Sequence, residues 1–144
     1  MKVSTKGRYA LRMMLDLAQH YEEGFISLKD ISKRQEISKK YLEQIIIIIN
    51  KPDFLKTNRG SQGGYKLAKS PSEYTVGDIL RLTEGSLSPV DCVDNPSECE
   101  RYAGCLTLPV WKHLSEIIND YLDSVTLQDI LDTQQEEYAI NYVI

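Results

Sequence analysis

The sequence predicts a mainly α-helical protein with one small β-hairpin, and three observations carry that reading. Apolar residues recur at spacings of three and four through most of the chain. Two short β-patterned runs flank a glycine-rich turn from Gly60 to Gly64. A long apolar stripe follows a late segment that has no period. With 144 residues the chain supports one compact domain, or one small domain and an appendage, which excludes a large multidomain enzyme. Apolar residues make up 42% and charged residues 26%, so a buried core is expected and a disordered or collagen-like chain is not.

The first helix is expected over residues 4 to 21. Tyr9, Leu11, Met13, Met14, Leu15, Leu17, Ala18 and Tyr21 mark its apolar side, Ser4 its cap and Glu22-Glu23-Gly24 its stop. After an extended piece at Phe25-Ile26, Ser27 caps a helix that buries Leu28 and Ile31. Ser38 caps another from Lys39 to about Lys51, ended by Pro52. Strands are expected at Leu55 to Arg59 and Tyr65 to Ala68, joined by Gly60-Ser61-Gln62-Gly63-Gly64, whose glycines permit positive φ. Thr75 then caps a short helix with Val76, Ile79, Leu80 and Leu82, closing a first unit at residues 1–85.

Residues 86–106 hold all three cysteines, Pro89, Pro96 and Gly104, and are expected to form a loop. Helix resumes at Thr107, and Trp111, Leu114, Ile117, Ile118, Tyr121, Leu122 and Val125 make a stripe wide enough to need a partner surface. A short last helix from Thr126, carrying Leu127, Ile130 and Leu131, completes a third unit at 107–144.

The net charge of −4 conceals an asymmetry. Residues 1–70 carry 14 Lys and Arg against 7 Asp and Glu, a net of +7, whereas residues 71–144 carry 3 against 14, a net of −11. A basic half implies a polyanionic partner for that half alone. The longest purely apolar run, Ile45 to Ile49, is five residues, so no membrane span is expected. The start has no separate charged region, apolar core and cleavage site, so the chain is expected in the cytoplasm. There is no Ser/His/acid ordering and no phosphate loop, and both histidines, His20 and His113, fall in helical patterns, so no catalysis is expected.

Two capped helices separated by a tight turn at Gln35 to Ile37, followed by a glycine-turned hairpin, have the arrangement of a winged helix-turn-helix. Leu28, Ile31, Ile37, Tyr41 and Ile45 fit its inward positions. Lys39, Lys40, Glu43 and Gln44 then lie on the first turns of the second helix, where side chains reach base edges in the major groove. Gln44 suits adenine, Glu43 a cytosine amino group or an ion pair with Lys39 or Lys40, and the lysines guanine or phosphate. Arg59 suits a minor groove, and Lys6, Arg8 and Tyr9 can position phosphates. Ser38, Tyr41, Ser61, Gln62 and Gly63 complete the expected DNA-facing set. One stripe cannot absorb five adjacent isoleucines, so Ile46 or Ile47 is expected to point away from the core.

Four motifs occur in order: Met1-Lys2-Val3-Ser4-Thr5-Lys6-Gly7-Arg8-Tyr9-Ala10-Leu11-Arg12, Tyr41-Leu42-Glu43-Gln44-Ile45, Arg59-Gly60-Ser61-Gln62-Gly63-Gly64-Tyr65-Lys66-Leu67, and Val76-Gly77-Asp78-Ile79. Together they resemble the IscR/NsrR/CymR family of bacterial transcription regulators over nearly the whole chain. The resemblance implies a homodimer with an N-terminal winged helix-turn-helix, a long C-terminal dimerisation helix around Trp111 to Val125, and a two-fold double-stranded DNA operator.

Cys92, Cys99 and Cys105 are an odd set in a reducing compartment, which argues against a disulfide framework. From spacing alone, three unrelated thiols and one soft-metal site stay equally open. The resemblance to the family's iron-sulfur members implies that the three hold a cluster, of the 2Fe-2S type, which aerobic handling can remove, and that the chain represses genes of cluster biogenesis. Such members place a histidine soon after the third cysteine, where this chain has Leu106-Thr107-Leu108, or an acid in the first helix, where it has Arg8. The fourth ligand stays open among His113, Asp91, Asp94, Glu98, Glu100, a thiol and water. The alternatives are a thiol, nitric oxide or zinc sensor without a cluster, and a regulator of cysteine metabolism controlled by a partner protein, as in the CymR branch.

Overall fold

A computed structural model describes residues 2–143; Met1 of the first motif and Ile144 of the third expected unit lie outside them. Helix α1 (Thr5–Gln19) begins where expected, because the Ser4 side chain accepts from the Gly7 N–H, but it stops two residues early in a single turn at Tyr21–Glu23. Helices α2 (Leu28–Gln35) and α3 (Lys39–Ile49) are capped by Ser27 and Ser38, which accept from the N–H of Asp30 and Tyr41. Between them the chain reverses through Glu36 at φ 54°, a left-handed residue at a position where glycine is common.

Strands β1 (Leu55–Asn58) and β2 (Gly64–Leu67) pair antiparallel, Leu55 opposite Leu67 and Asn58 opposite Gly64. Of the turn's glycines only Gly60 takes a positive φ, 113°. Gly64 serves another need: the Ile26 backbone lies where its Cβ would be, and the Ile26 and Tyr65 amides exchange hydrogen bonds with each other's carbonyls at 2.8 Å, so residue 26 adds a one-residue third strand beside β2. Helix α4 (Val76–Glu84) starts with a reciprocal cap between Thr75 and Asp78.

The segment expected to be an aperiodic loop has short regular pieces: α5 (Asp91–Asp94) and single turns at Pro96–Glu98 and Tyr102–Gly104. Helix α6 (Leu108–Ser124) agrees with the stripe. Helix α7 (Leu127–Val143) is 17 residues long instead of short.

One core cluster joins α1, α2, α3 and the wing around Met13, Met14, Leu17, Ile31, Leu42, Ile45 and Ile49, and it also takes in Leu127 from the start of α7, which has no exposed surface. A second cluster of Val76, Leu80 and Leu87 receives Ile118, Leu122 and Val125, seating one face of α6 on α4. Two backbone bonds lock this junction: Val76 N–H donates to Val125 O at 2.8 Å, and Leu127 N–H donates to Tyr74 O at 3.0 Å. The chemically expensive buried group is Asp16, with no exposed surface. Arg34 donates to it through Nε at 3.0 Å and Nη2 at 2.6 Å, and Gln35 through Nε2 at 3.0 Å, which ties α1 to α2.

Candidate nucleic-acid interface and the cysteine segment

Helix α3 sorts its residues by spacing. Leu42, Ile45, Ile46 and Ile49 are buried and hold the helix against the core, so Lys39, Lys40, Glu43, Gln44 and Ile47 face outward. The run of isoleucines is resolved at Ile47, which is 80% exposed, whereas Ile46 packs inside. No ion pair joins Glu43 to Lys39 or Lys40 among the described residues, so its carboxylate and the lysine ammonium groups all face outward uncommitted.

Arg59, Ser61 and Gln62 are exposed at the wing tip and Gly63 is half-buried beside them. A cleft of about 450 Å³ separates the tip from α3, lined by Lys39, Asn50, Thr57 and Arg59 among others. Arg8 is exposed near the start of α1 and donates to Thr5 Oγ1 at 3.0 Å. Two members of the expected set do structural work as well. The Ser38 hydroxyl caps α3, and the half-buried Tyr41 ring meets Tyr9 edge to face at 5.4 Å, with the Arg12 guanidinium 5.2 Å from the Tyr9 centroid.

A residue absent from the expected set controls the wing's base. The Tyr74 side chain is wholly buried. Its hydroxyl donates to Phe54 O at 2.6 Å and accepts from the N–H groups of Ala68 and Lys69 at 3.0 and 3.2 Å, so one oxygen pins the outer ends of both wing strands. Burial pushes the Tyr74 hydroxyl pKa up, keeping it protonated as a donor. A tyrosine between two capping residues gives no sequence signal of this; only the fold brings residues 54, 68 and 74 together.

The cysteines occupy different local structures: Cys92 on α5, Cys99 just after the turn at Pro96–Glu98, and Cys105 before α6. All three are free and half-buried. The donor type fits a soft metal or cluster, but the arrangement is not closed: among the described residues no three His, Cys, Asp or Glu side chains converge to hold a metal ion. A Thr107 hydroxyl 3.3 Å from Cys105 Sγ holds that thiol's pKa below the ordinary range, helped by the Thr107 and Leu108 backbone.

Asp94 receives hydrogen bonds from the Ser86 and Ser88 hydroxyls, which depress its carboxyl pKa. Ser88 Oγ in turn lies 3.3 Å from Ser115 Oγ on α6. The Lys112 ammonium stands 5.2 Å over the Tyr102 ring. The segment therefore rests on α6. His113 is exposed and lies 3.7 Å from Glu116.

The family model described as Rrf2, iron-dependent transcriptional regulator, matches residues 3–133. The chain belongs to the Rrf2 family. It is similar to protein rrf2 of Nitratidesulfovibrio vulgaris, 38% identical over 131 residues that cover 91% of this chain and 87% of that one. Among solved structures, an IscR from T. potens superposes with a TM-score of 0.75 at 43% identity, covering 95% of this chain and 90% of that chain. CymR of B. subtilis, described as its global cysteine regulator, superposes at 0.76 with 36% identity, covering 92% and 98%. This chain is thus a transcription regulator of the Rrf2 family with the winged-helix fold of its neighbours, similar both to IscR and to CymR proteins.

In this Rrf2 chain the two halves meet at α4 and α6. Arg81 donates to both carboxylate oxygens of Asp123, at 2.7 and 2.8 Å, and to Asn119 Oδ1 at 2.8 Å. That pairing raises the Arg81 pKa and lowers that of Asp123. The outer side of α6 is different: Val110, Leu114, Ile117 and Tyr121 are exposed, the last by 65%. No helix among the described residues is long and apolar enough to cross a membrane.

Proposed function

We propose that the chain is a homodimeric repressor, acting on double-stranded DNA in the cytoplasm, whose affinity for its operator follows the state of Cys92, Cys99 and Cys105. The observation that carries the DNA reading is the outward stripe Lys39, Lys40, Glu43 and Gln44 beside an exposed Arg59 wing tip on the basic half. In this reading Lys39, Lys40 and Arg8 supply phosphate contacts, Arg59 enters the minor groove, Glu43 and Gln44 read bases, Ser38 fixes the start of α3, Tyr9 and Tyr41 brace it, and Ser61, Gln62 and Gly63 shape the tip. The outer face of α6 pairs with its copy, since four apolar side chains left in water are the material of an isologous contact.

The three thiols are proposed to hold an iron-sulfur cluster, of the 2Fe-2S type, in a protein that regulates cluster biogenesis; bound there, the cluster supplies a redox- and nitric oxide-sensitive centre. The chain's own part is mechanical. Residues 86–106 must close for the thiols to converge, and they lie on α6. The end of α6 is bonded through Val125 and Leu127 to residues 74–76, and the Tyr74 hydroxyl holds the wing strands. Movement of α6 therefore reaches the wing and alters its fit to DNA.

The test is anaerobic purification of wild type and Cys99→Ala with visible spectra, iron and sulfide analysis, and salt-dependent binding to DNA selected by the wild type. A coloured, sulfide-containing wild type whose DNA affinity changes on cluster loss, with neither property in the variant, is the expected result. A colourless, sulfide-free wild type with salt-dependent DNA binding removes the cluster. It leaves control of the thiols by zinc or oxidation, or control by a partner protein as in CymR-like regulators; the similarity to CymR of B. subtilis supports this second reading.

A further inference from the structure

One side chain on the reading face has no role in the scheme above. Ile47 is 80% exposed, and it lies on the same stripe as Lys40, Glu43 and Gln44, at spacings of seven, four and three residues. A β-branched aliphatic residue is a poor choice for an exposed helix position, where lysine, glutamate or alanine forms helix better and leaves no apolar surface in water. It is also no patch: its neighbours on the stripe are charged or amide side chains, whereas a protein interface of standard size needs about 800 Å² per partner. A lone apolar group among hydrogen-bonding ones matches the floor of the major groove, where the thymine methyl is the single apolar feature of an A·T pair.

We propose that Ile47 determines operator specificity by packing on the 5-methyl group of a thymine. The inference rests on the DNA-binding reading of α3. At about 1.5 Å per residue Ile47 sits roughly 4.5 Å along the helix from Gln44, just over one base step of about 3.4 Å, so the thymine lies next to the pair that Gln44 contacts.

The experiment uses the full chain, purified without oxygen, and a duplex that the wild type selects from a random pool. Each thymine is replaced singly by deoxyuridine, which keeps the pairing and removes only the methyl. One position per half-site is expected to weaken wild-type binding by about fourfold, the worth of one buried methyl-sized group. Ile47→Ala, which adds helix propensity at an exposed site and so folds, is expected to lose a similar factor on the unmodified duplex and nothing further on the uridine one. Lys40→Ala is expected to weaken both duplexes equally and preserve the methyl effect. Wild-type indifference to every replacement, an Ile47→Ala protein as sensitive as wild type, or one that binds the unmodified duplex with wild-type affinity overturns the proposal while DNA binding stands. A wild type that shows no salt-dependent binding to any duplex overturns both.

Discussion

The reading head and the cysteine segment are built to different standards. In residues 4–84 each α-helix has a side-chain cap, from Ser4, Ser27, Ser38 and Thr75, and the side chains between them close into a core with many members wholly buried. In residues 86–107 the short helix, both turns and the start of α6 all lack such a cap, and Leu87 is the sole buried apolar residue. The first surface is fixed before any ligand arrives. The second does not bring its three thiols to one point and has little packing to hold it that way, which suits a part that must rearrange to signal.

Leu127 tests where the head ends. If the start of α7 is part of the head's core, Leu127→Ala costs about 2–5 kcal/mol of unfolding free energy, read from a urea titration; a cost below about 1 kcal/mol would detach α7 from the head. Next in size, Tyr74→Phe strands the Lys69 amide and takes one of two partners from the Phe54 carbonyl and the Ala68 amide, which keep their own bond at 3.1 Å, and is expected to lose about 1–3 kcal/mol and to loosen the wing in amide exchange. Unchanged protection of Lys69, whose amide has the Tyr74 hydroxyl as its partner, would show that the hydroxyl does not hold the wing's base.

The clamp between the halves is smaller and depends on pH. Asp123 has a lowered carboxyl pKa in the folded protein, so it binds fewer protons there than in the unfolded chain. Its contribution is complete above the unfolded value of about 3.9 and is lost as pH falls through the folded value. Both partners are partly exposed, which keeps the effect within about 1 kcal/mol. Stability of wild type minus that of Asp123→Asn should shrink from pH 5 toward pH 3; a constant difference would mean that Arg81 is held by Asn119 and packing alone. Smallest of all, Cys99→Ala in metal-free protein is expected to move stability by no more than about 0.5 kcal/mol, and a larger loss would place the segment in the same packed class as the head.

The legible parts of the fold were those written in local chemistry. Ser27 and Ser38 announced α2 and α3 because a cap satisfies amides three residues away, and the glycine turn announced the wing. The outward charges of α3 followed from its period, and so did the choice between Ile46 and Ile47, once α3 was seated. What escaped depends on distant partners. Tyr74 gathers backbone groups from both wing strands, and Ile26 pairs with Tyr65 across 39 residues. Helix α7 was underestimated because Gln134, Gln135, Glu136 and Glu137 break any apolar stripe, so its later turns follow helix propensity instead of a buried face. The cysteines were legible as donors but not as a site, since spacing says that three thiols can meet and nothing about whether the unliganded chain brings them together.

The place of Leu127 in the core also bears on how the protein is made. A ribosome that has finished residue 85 has supplied α1 to α4 and both wing strands, yet the side chain that completes their packing lies 42 residues further on. At roughly 5–20 residues per second, that gap lasts about two to eight seconds. During that interval the nascent head lacks one fully buried member of its core and leaves the apolar side chains that meet Leu127 without that cover.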